Sequence, residues 1–146
     1  MIYCLIYISD ALKNMQNVEL KEILESSKKR NKDHNITGCL VYIEGKTSID
    51  NDSRFIQVLE GPESKVNELF KNIQGDSRHK KVTLIKNGLI DSRNFGTWEM
   101  GFERINLDND PTLKGIFNLN YTILSLDGDM GNNMLLNFMK SFYKAL

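Results

Sequence analysis

At 146 residues, 40% of them hydrophobic and 26% charged, the chain has the size of one domain and enough apolar content to build a packed core, which excludes a disordered polymer. Its formal net charge is zero, so the basic excess expected of a nucleic-acid binder is missing. No apolar run approaches the roughly 20 residues that cross a bilayer. The start, Met1-Ile2-Tyr3-Cys4-Leu5-Ile6, lacks the basic region and cleavage site of a signal peptide; the expected setting is the cytoplasm, without nucleic-acid or membrane partners.

The first expected element is a strand over residues 2–9, apolar nearly throughout and therefore buried on both faces. Alternation puts Tyr3, Leu5, Tyr7 and Ser9 on one face and Ile2, Cys4, Ile6 and Ile8 on the other. Residues 10–16 form a polar loop. A helix follows over residues 18–32, with Asn17 as cap, Glu19 and Glu22 at its positive end and Lys28, Lys29 and Arg30 at its negative end. Leu20, Ile23, Leu24, Ser27 and Asn31 fall on one stripe, which places a carboxamide near the end of the core face.

Asn35-Ile36-Thr37-Gly38 reads as a turn into a second strand over residues 38–43, completing a right-handed parallel strand–helix–strand unit. Residues 44–54 form a polar loop, longer than a tight hairpin needs. The third strand is Phe55-Ile56-Gln57-Val58-Leu59-Glu60-Gly61, apolar on both faces except for Gln57, which shares a face with Phe55 and Leu59. An unsatisfied buried amide costs about 1–3 kcal/mol, so Gln57 requires partners from protein, water or ligand.

Pro62 opens a second helix whose stripe is Val66, Leu69, Phe70 and Ile73, ending near Gly75. Asp76-Ser77-Arg78-His79 leads into a fourth strand over residues 81–86, broken by Asn87-Gly88. A fifth strand is expected over residues 95–102, with Trp98, Met100 and Phe102 on one face. Beyond Arg104 the character changes. Pro111 is placed to open a short helix, residues 118–126 are ambiguous, and Asn133 caps a final helix reaching about residue 145. The expected fold is α+β, a ferredoxin-like βαββαββ arrangement. It has a five-stranded mixed sheet, two helices on one face and a C-terminal helical cap on the other. Residues 1–104 form the main domain and residues 105–146 the cap. Cys4 and Cys39 sit in apolar runs without metal-ligand spacing, as free thiols in a reducing compartment do, and no metal site is expected.

Three polar side chains, Tyr7, Asn31 and Gln57, thus point into core. Either they satisfy one another and nearby backbone, or they surround the polar edge of a flat ligand slotted between the two helices. At this point five stretches together resemble a known family. They are Leu5-Ile6-Tyr7-Ile8-Ser9, Asn31 followed by Asn35-Ile36-Thr37-Gly38, the Gln57 strand, Asp76-Ser77-Arg78-His79, and Phe95-Gly96-Thr97-Trp98-Glu99-Met100-Gly101-Phe102. In this order they look like the BLUF family, sensors of blue light using FAD. The resemblance covers residues 1–103; the tail matches the cap of stand-alone members only loosely.

The resemblance implies FAD bound without a covalent link between the helices, with Tyr7, Arg30, Asn31, Gln57, Asp76, Arg78 and His79 as its binding residues. It implies that Tyr7 hydrogen-bonds Gln57 and that light drives electron and proton transfer from Tyr7 to the flavin. Gln57 is then left in a new bonding pattern, and the change is read through Trp98 and Met100 on the fifth strand towards the cap. Tyr7, Gln57, Asn31, Trp98 and Met100 are the photoactive set, and the chain is a sensor and not an enzyme. With no room for an effector, output is expected through an unknown protein partner or a homo-oligomer. His34 is expected to be solvated, and Glu60 to serve a turn or helix start. The long connection at residues 44–54 departs from the family's short turn. Two alternatives stand beside this reading. One is a flavin-free interaction module on the same fold. The other is an acylphosphatase-like enzyme, which would need a glycine-rich anion loop where this chain has Asp10-Ala11-Leu12-Lys13-Asn14.

Overall fold

The computed structural model describes residues 1–12, 15–44, 53–96, 101–106, 109, 111, 128–130 and 132–145, with backbone alone for residues 101–105 and 142–145. The element order is β1 (Ile2–Ala11), α1 (Asn17–Asp33), β2 (Thr37–Glu44), β3 (Arg54–Gly61), α2 (Glu63–Gln74), β4 (His79–Ile90), β5 (Gly101–Asn106) and α3 (Met134–Ala145). The strands lie in the order β4-β1-β3-β2-β5. β4, β1, β3 and β2 pair antiparallel with their neighbours, and β5 runs parallel to β2. β1 and β2 are therefore parallel, but β3 lies between them. None of the helices among the described residues is long and apolar enough to cross a membrane.

The two side-chain layers of the central strands explain the packing. Tyr3, Leu5, Tyr7, Leu40, Tyr42, Phe55 and Leu59 meet Leu20 of α1 and Val66, Leu69 and Phe70 of α2. Cys4, Ile6, Ile8, Cys39, Val41, Ile56 and Val58 face the other way and meet Leu135, Leu136 and Met139 of α3. Those three α3 side chains are fully buried, and each such burial stabilises by about 1.5–3 kcal/mol. Asn133 caps α3, its Oδ1 accepting from Leu135 N at 2.9 Å and Leu136 N at 3.3 Å.

Gly38 is where β2 crosses closest to β3: a Cβ built there would lie 2.0 Å from the carbonyl oxygen of Val58. Gly38→Ala is expected to destabilise the fold by about 3 kcal/mol or more, because backbone and not a flexible side chain must move. Chemical denaturation of the variant checks this.

The structure revises several expected boundaries. β1 runs two residues further, because Asp10 pairs with Arg54, at 3.4 Å between Oδ1 and Nε, and Ala11 N donates to Ser53 O at 2.9 Å. Gln16, not Asn17, is the cap of α1, its backbone N–H reaching Glu19 Oε1 at 3.5 Å. Asn87-Gly88 does not break β4: Leu5 pairs with Asn87 and Cys4 with Gly88, and the ladder continues to Ile90. β4 takes up irregularity elsewhere, with register shifts opposite Ile6/Tyr7 and Ile8/Asp10 and a φ of 53° at Lys81. Phe95, expected in the fifth strand, sits fully buried outside any strand, and the described part of β5 is Gly101–Asn106. Trp98, Met100, most of the 44–54 connection and the stretch from 112 to 127 lie outside the described residues.

Candidate functional site

Register places the central pair. Tyr7 of β1 stands directly opposite Gln57 of β3, and Leu40 of β2 stands opposite Gln57 on the other side. Directly opposed side chains on one face are neighbours, so the phenol meets the carboxamide, and Tyr7 O–H donates to Gln57 Oε1. Both residues are nearly inaccessible, Tyr7 at 3% and Gln57 at 5%. Burial pushes the Tyr7 phenol far above its usual range, and the Asp76 carboxylate adds to this against the opposing charges of Arg30 and Arg78. Tyr7 is therefore a neutral donor near neutral pH.

The pair opens onto a cleft between α1 and α2. Ile23, Leu40, Phe55, Leu69 and Ile73 form its apolar walls. All seven binding residues implied by the resemblance line it: Tyr7, Arg30, Asn31, Gln57, Asp76, Arg78 and His79. Asn31 is 1% exposed, and among the described residues no donor reaches its carboxamide oxygen. Arg30, on the next position of α1, is exposed at the mouth.

His79 is held at both nitrogens. Nε2 lies 2.5 Å from the carbonyl oxygen of Ile73, which can only accept, so Nε2 carries the hydrogen. In the neutral ring Nδ1 then accepts from Ser9 Oγ at 2.7 Å. The ring stands edge-on to Tyr7 and to Phe55, each at 6.3 Å between centroids. Its place is thus a rigid wall, with its hydrogen-bonding capacity spent on protein. The sequence placed Ser9 on the Tyr7 face of β1 but assigned it no part in the site.

Arg78 folds onto Asp76 in a two-pronged pair, with Nε at 3.0 and 3.1 Å from the two carboxylate oxygens and NH2 at 2.5 Å. This guanidinium holds the Asp76 carboxyl down to about 2. Both groups reach solvent, so the pair contributes no more than about 1 kcal/mol. Since the folded value is depressed, that stability is present above the unfolded value of 3.8 and lost as pH falls towards 2. The Tm difference between the protein and Asp76→Asn is expected to be constant above pH 4 and to close towards pH 2; a thermal-melt series across pH checks it.

Tyr42 serves the same face from one strand further out. Its hydroxyl accepts from Met15 N at 2.8 Å, tying down the connection between β1 and α1. Tyr42→Phe leaves that buried N–H without its acceptor and is expected to cost about 1–3 kcal/mol, read as a lower denaturation midpoint.

The residue underestimated in the sequence is Glu60. It is fully buried, and its carboxylate accepts from Thr37 Oγ1 at 2.9 Å, Phe95 N at 2.7 Å and Asn94 N at 2.9 Å. It organises the turn before β5 and does not start a helix. His34 is the exposed C-cap of α1. Among the described residues there is no cluster of three metal-ligating side chains.

The arrangement is a cleft with apolar walls and hydrogen-bonding groups from Tyr7, Asn31 and Gln57, the mixture of surfaces that a planar heteroaromatic ligand such as a flavin ring would require. Comparisons point the same way. Residues 2–101 match the sequence profile of BLUF, sensors of blue-light using FAD. The chain is 38% identical over 93 residues to photoactivated adenylate cyclase subunit alpha of Euglena gracilis, covering 64% of this chain and 8% of that protein. It is 27% identical over 148 residues to the blue light- and temperature-regulated antirepressor BluF of Escherichia coli (strain K12), spanning 99% of this chain and 34% of that one. Among solved structures it superposes on BlsA in its photo-activated state with a TM-score of 0.71 at 26% identity, covering 98% of this chain and 95% of that one.

Proposed function

Because the chain belongs to the BLUF family, sensors of blue light using FAD, we propose that it is a photoreceptor that holds FAD non-covalently in the cleft between α1 and α2. The observation that carries this reading is the hydrogen bond from Tyr7 to Gln57 at the floor of that cleft. Ile23, Leu40, Phe55 and Ile73 would enclose the flavin ring, Asn31 and Gln57 would offer it hydrogen bonds, and Arg30, Asp76, Arg78 and His79 would line the rest of the site. Bound there, the flavin would supply blue absorption and, once excited, a strong oxidant.

With a flavin bound and excited, Tyr7 would be positioned to give it an electron and to release its proton along the bond to Gln57, and both would return to Tyr7 afterwards. In the present arrangement Gln57 Oε1 accepts from Tyr7, so its NH2 is the donor end. Rotation or tautomerisation exchanges which end faces the cleft, and that exchange is the stored signal. Trp98 and Met100 carry it on towards β5 and the cap.

The layout is read as ferredoxin-like with an added edge strand at β5, with residues 1–104 as the sensor domain and residues 105–146 as the cap. The segment has no catalytic role of its own, and its output passes to a protein partner or through a homo-oligomer in the cytoplasm. The test is spectroscopic. Purified protein should be yellow and shift reversibly to longer wavelength under blue light, and flavin released by denaturation should chromatograph as FAD and not FMN. A protein that takes up no flavin sinks the proposal.

A further inference from the structure

Glu60 sits three residues beyond Gln57 on the same strand, where three pieces of chain converge. A buried charge is tolerated only when it is fully solvated by protein donors, and both carboxylate oxygens are so occupied. Oε1 accepts from Thr37 Oγ1 at 2.9 Å and Phe95 N at 2.7 Å; Oε2 accepts from Asn94 N at 2.9 Å and Asn94 Nδ2 at 3.4 Å. Arg93 closes the joint from outside. Its Nη1 donates to Thr37 Oγ1 at 2.9 Å and to the Glu60 carbonyl at 3.0 Å, and its Nη2 to the Asn35 carbonyl at 2.8 Å. Asn35 ends the turn that follows Asn31 on α1, and its φ of 57° fixes that turn. Thr37 begins β2, which carries β5 as its parallel partner from Cys39 and Gly101 onward.

One carboxylate thus ties the strand bearing Gln57 to the turn at residues 93–96, a few residues before β5, and to the segment just beyond Asn31. We infer that Glu60, clamped by Thr37 and Arg93, is a positioning residue that passes the rearrangement at Gln57 to the chain entering β5. Phe95 makes the connection stiff: its backbone N–H is held by Glu60 while its ring is fully buried in the layer shared with α3. A shift of β3 therefore moves the start of the β5 approach and the α3 face together, because a packed layer moves as a unit. The inference rests on the photoreceptor reading, since light at Gln57 is what the joint would transmit.

Glu60→Gln tests it. The substitution keeps shape and one acceptor oxygen but replaces the other with an NH2 that cannot accept from Asn94 N. The readout is amide hydrogen exchange of residues 101–106 and of α3, in the dark and under blue light, on the flavin-loaded full chain. The expected result is an unchanged red shift together with a light-minus-dark exchange difference reduced by about twofold or more. Val66→Ala, a buried α2 site in the other layer that does not line the cleft, serves as a control for lowered Tm and should keep the full difference. Should Glu60→Gln fail to fold, Thr37→Val removes one donor at the same joint and is read in the same way. A variant that shifts red and keeps the unaltered protein's exchange difference overturns the inference alone. Absence of the red shift in the unaltered protein overturns the photoreceptor reading and this one with it.

Discussion

Tyr7→Phe is expected to leave a protein that still binds flavin but no longer shifts its absorption under blue light. The phenyl ring fills the same space against Phe70, 5.6 Å away between centroids, so the cleft keeps its walls. The hydroxyl is what disappears, and with it the donor to Gln57 Oε1. No other phenol faces Gln57 from a directly opposed position, since its second cross-strand neighbour is Leu40. The variant leaves Gln57 Oε1 buried without that donor, at a cost of about 1–3 kcal/mol, so a modest fall in Tm should accompany complete loss of the reversible shift. Gln57→Leu removes the other half of the pair and should give the same spectroscopic null. Absorption difference spectra before and after blue illumination decide both; a normal shift in either variant rules out the assigned roles.

Glu60→Ala should give a large loss of stability. It takes the acceptor from Thr37, Asn94 and Phe95 at once and opens a cavity in a fully buried position. Each buried donor left unsatisfied costs about 1–3 kcal/mol, and the neighbouring Arg93 loses its compensating charge. Subadditivity lowers the sum, but about 3 kcal/mol or more remains. Equilibrium denaturation in urea measures it, with the midpoint falling at unchanged slope. A loss of a few tenths would mean that the turn at residues 93–96 finds other acceptors, and that the joint is weaker than its geometry.

Much of this architecture was legible in the residues because it is local. Period-2 alternation in β1 and β3 and the stripes of α1 and α2 depend on neighbours within one turn or one strand. The same locality identified Tyr7, Asn31 and Gln57 as polar intrusions into core, and Asn133 as a cap. Where the expectations slipped, a distant partner had intervened. Asn87-Gly88 has the composition of a turn, yet β1 holds it in a ladder through Leu5 and Cys4. Glu60 was expected to serve a turn or a helix start; it does serve a turn, but a distant one, since its donors come from residues 23 to 35 positions away.

By itself the sequence determined which residues are buried in strands and helices, and which polar groups are trapped among them, since those follow from spacing along the chain. Only the tertiary structure decided what the trapped groups meet. Tyr7 and Gln57 are 50 residues apart, and a slip of one residue in the β1–β3 register would send one of them to the opposite face. Register is a property of paired strands and not of either strand alone. The meeting of phenol, carboxamide and cleft is therefore written in the fold.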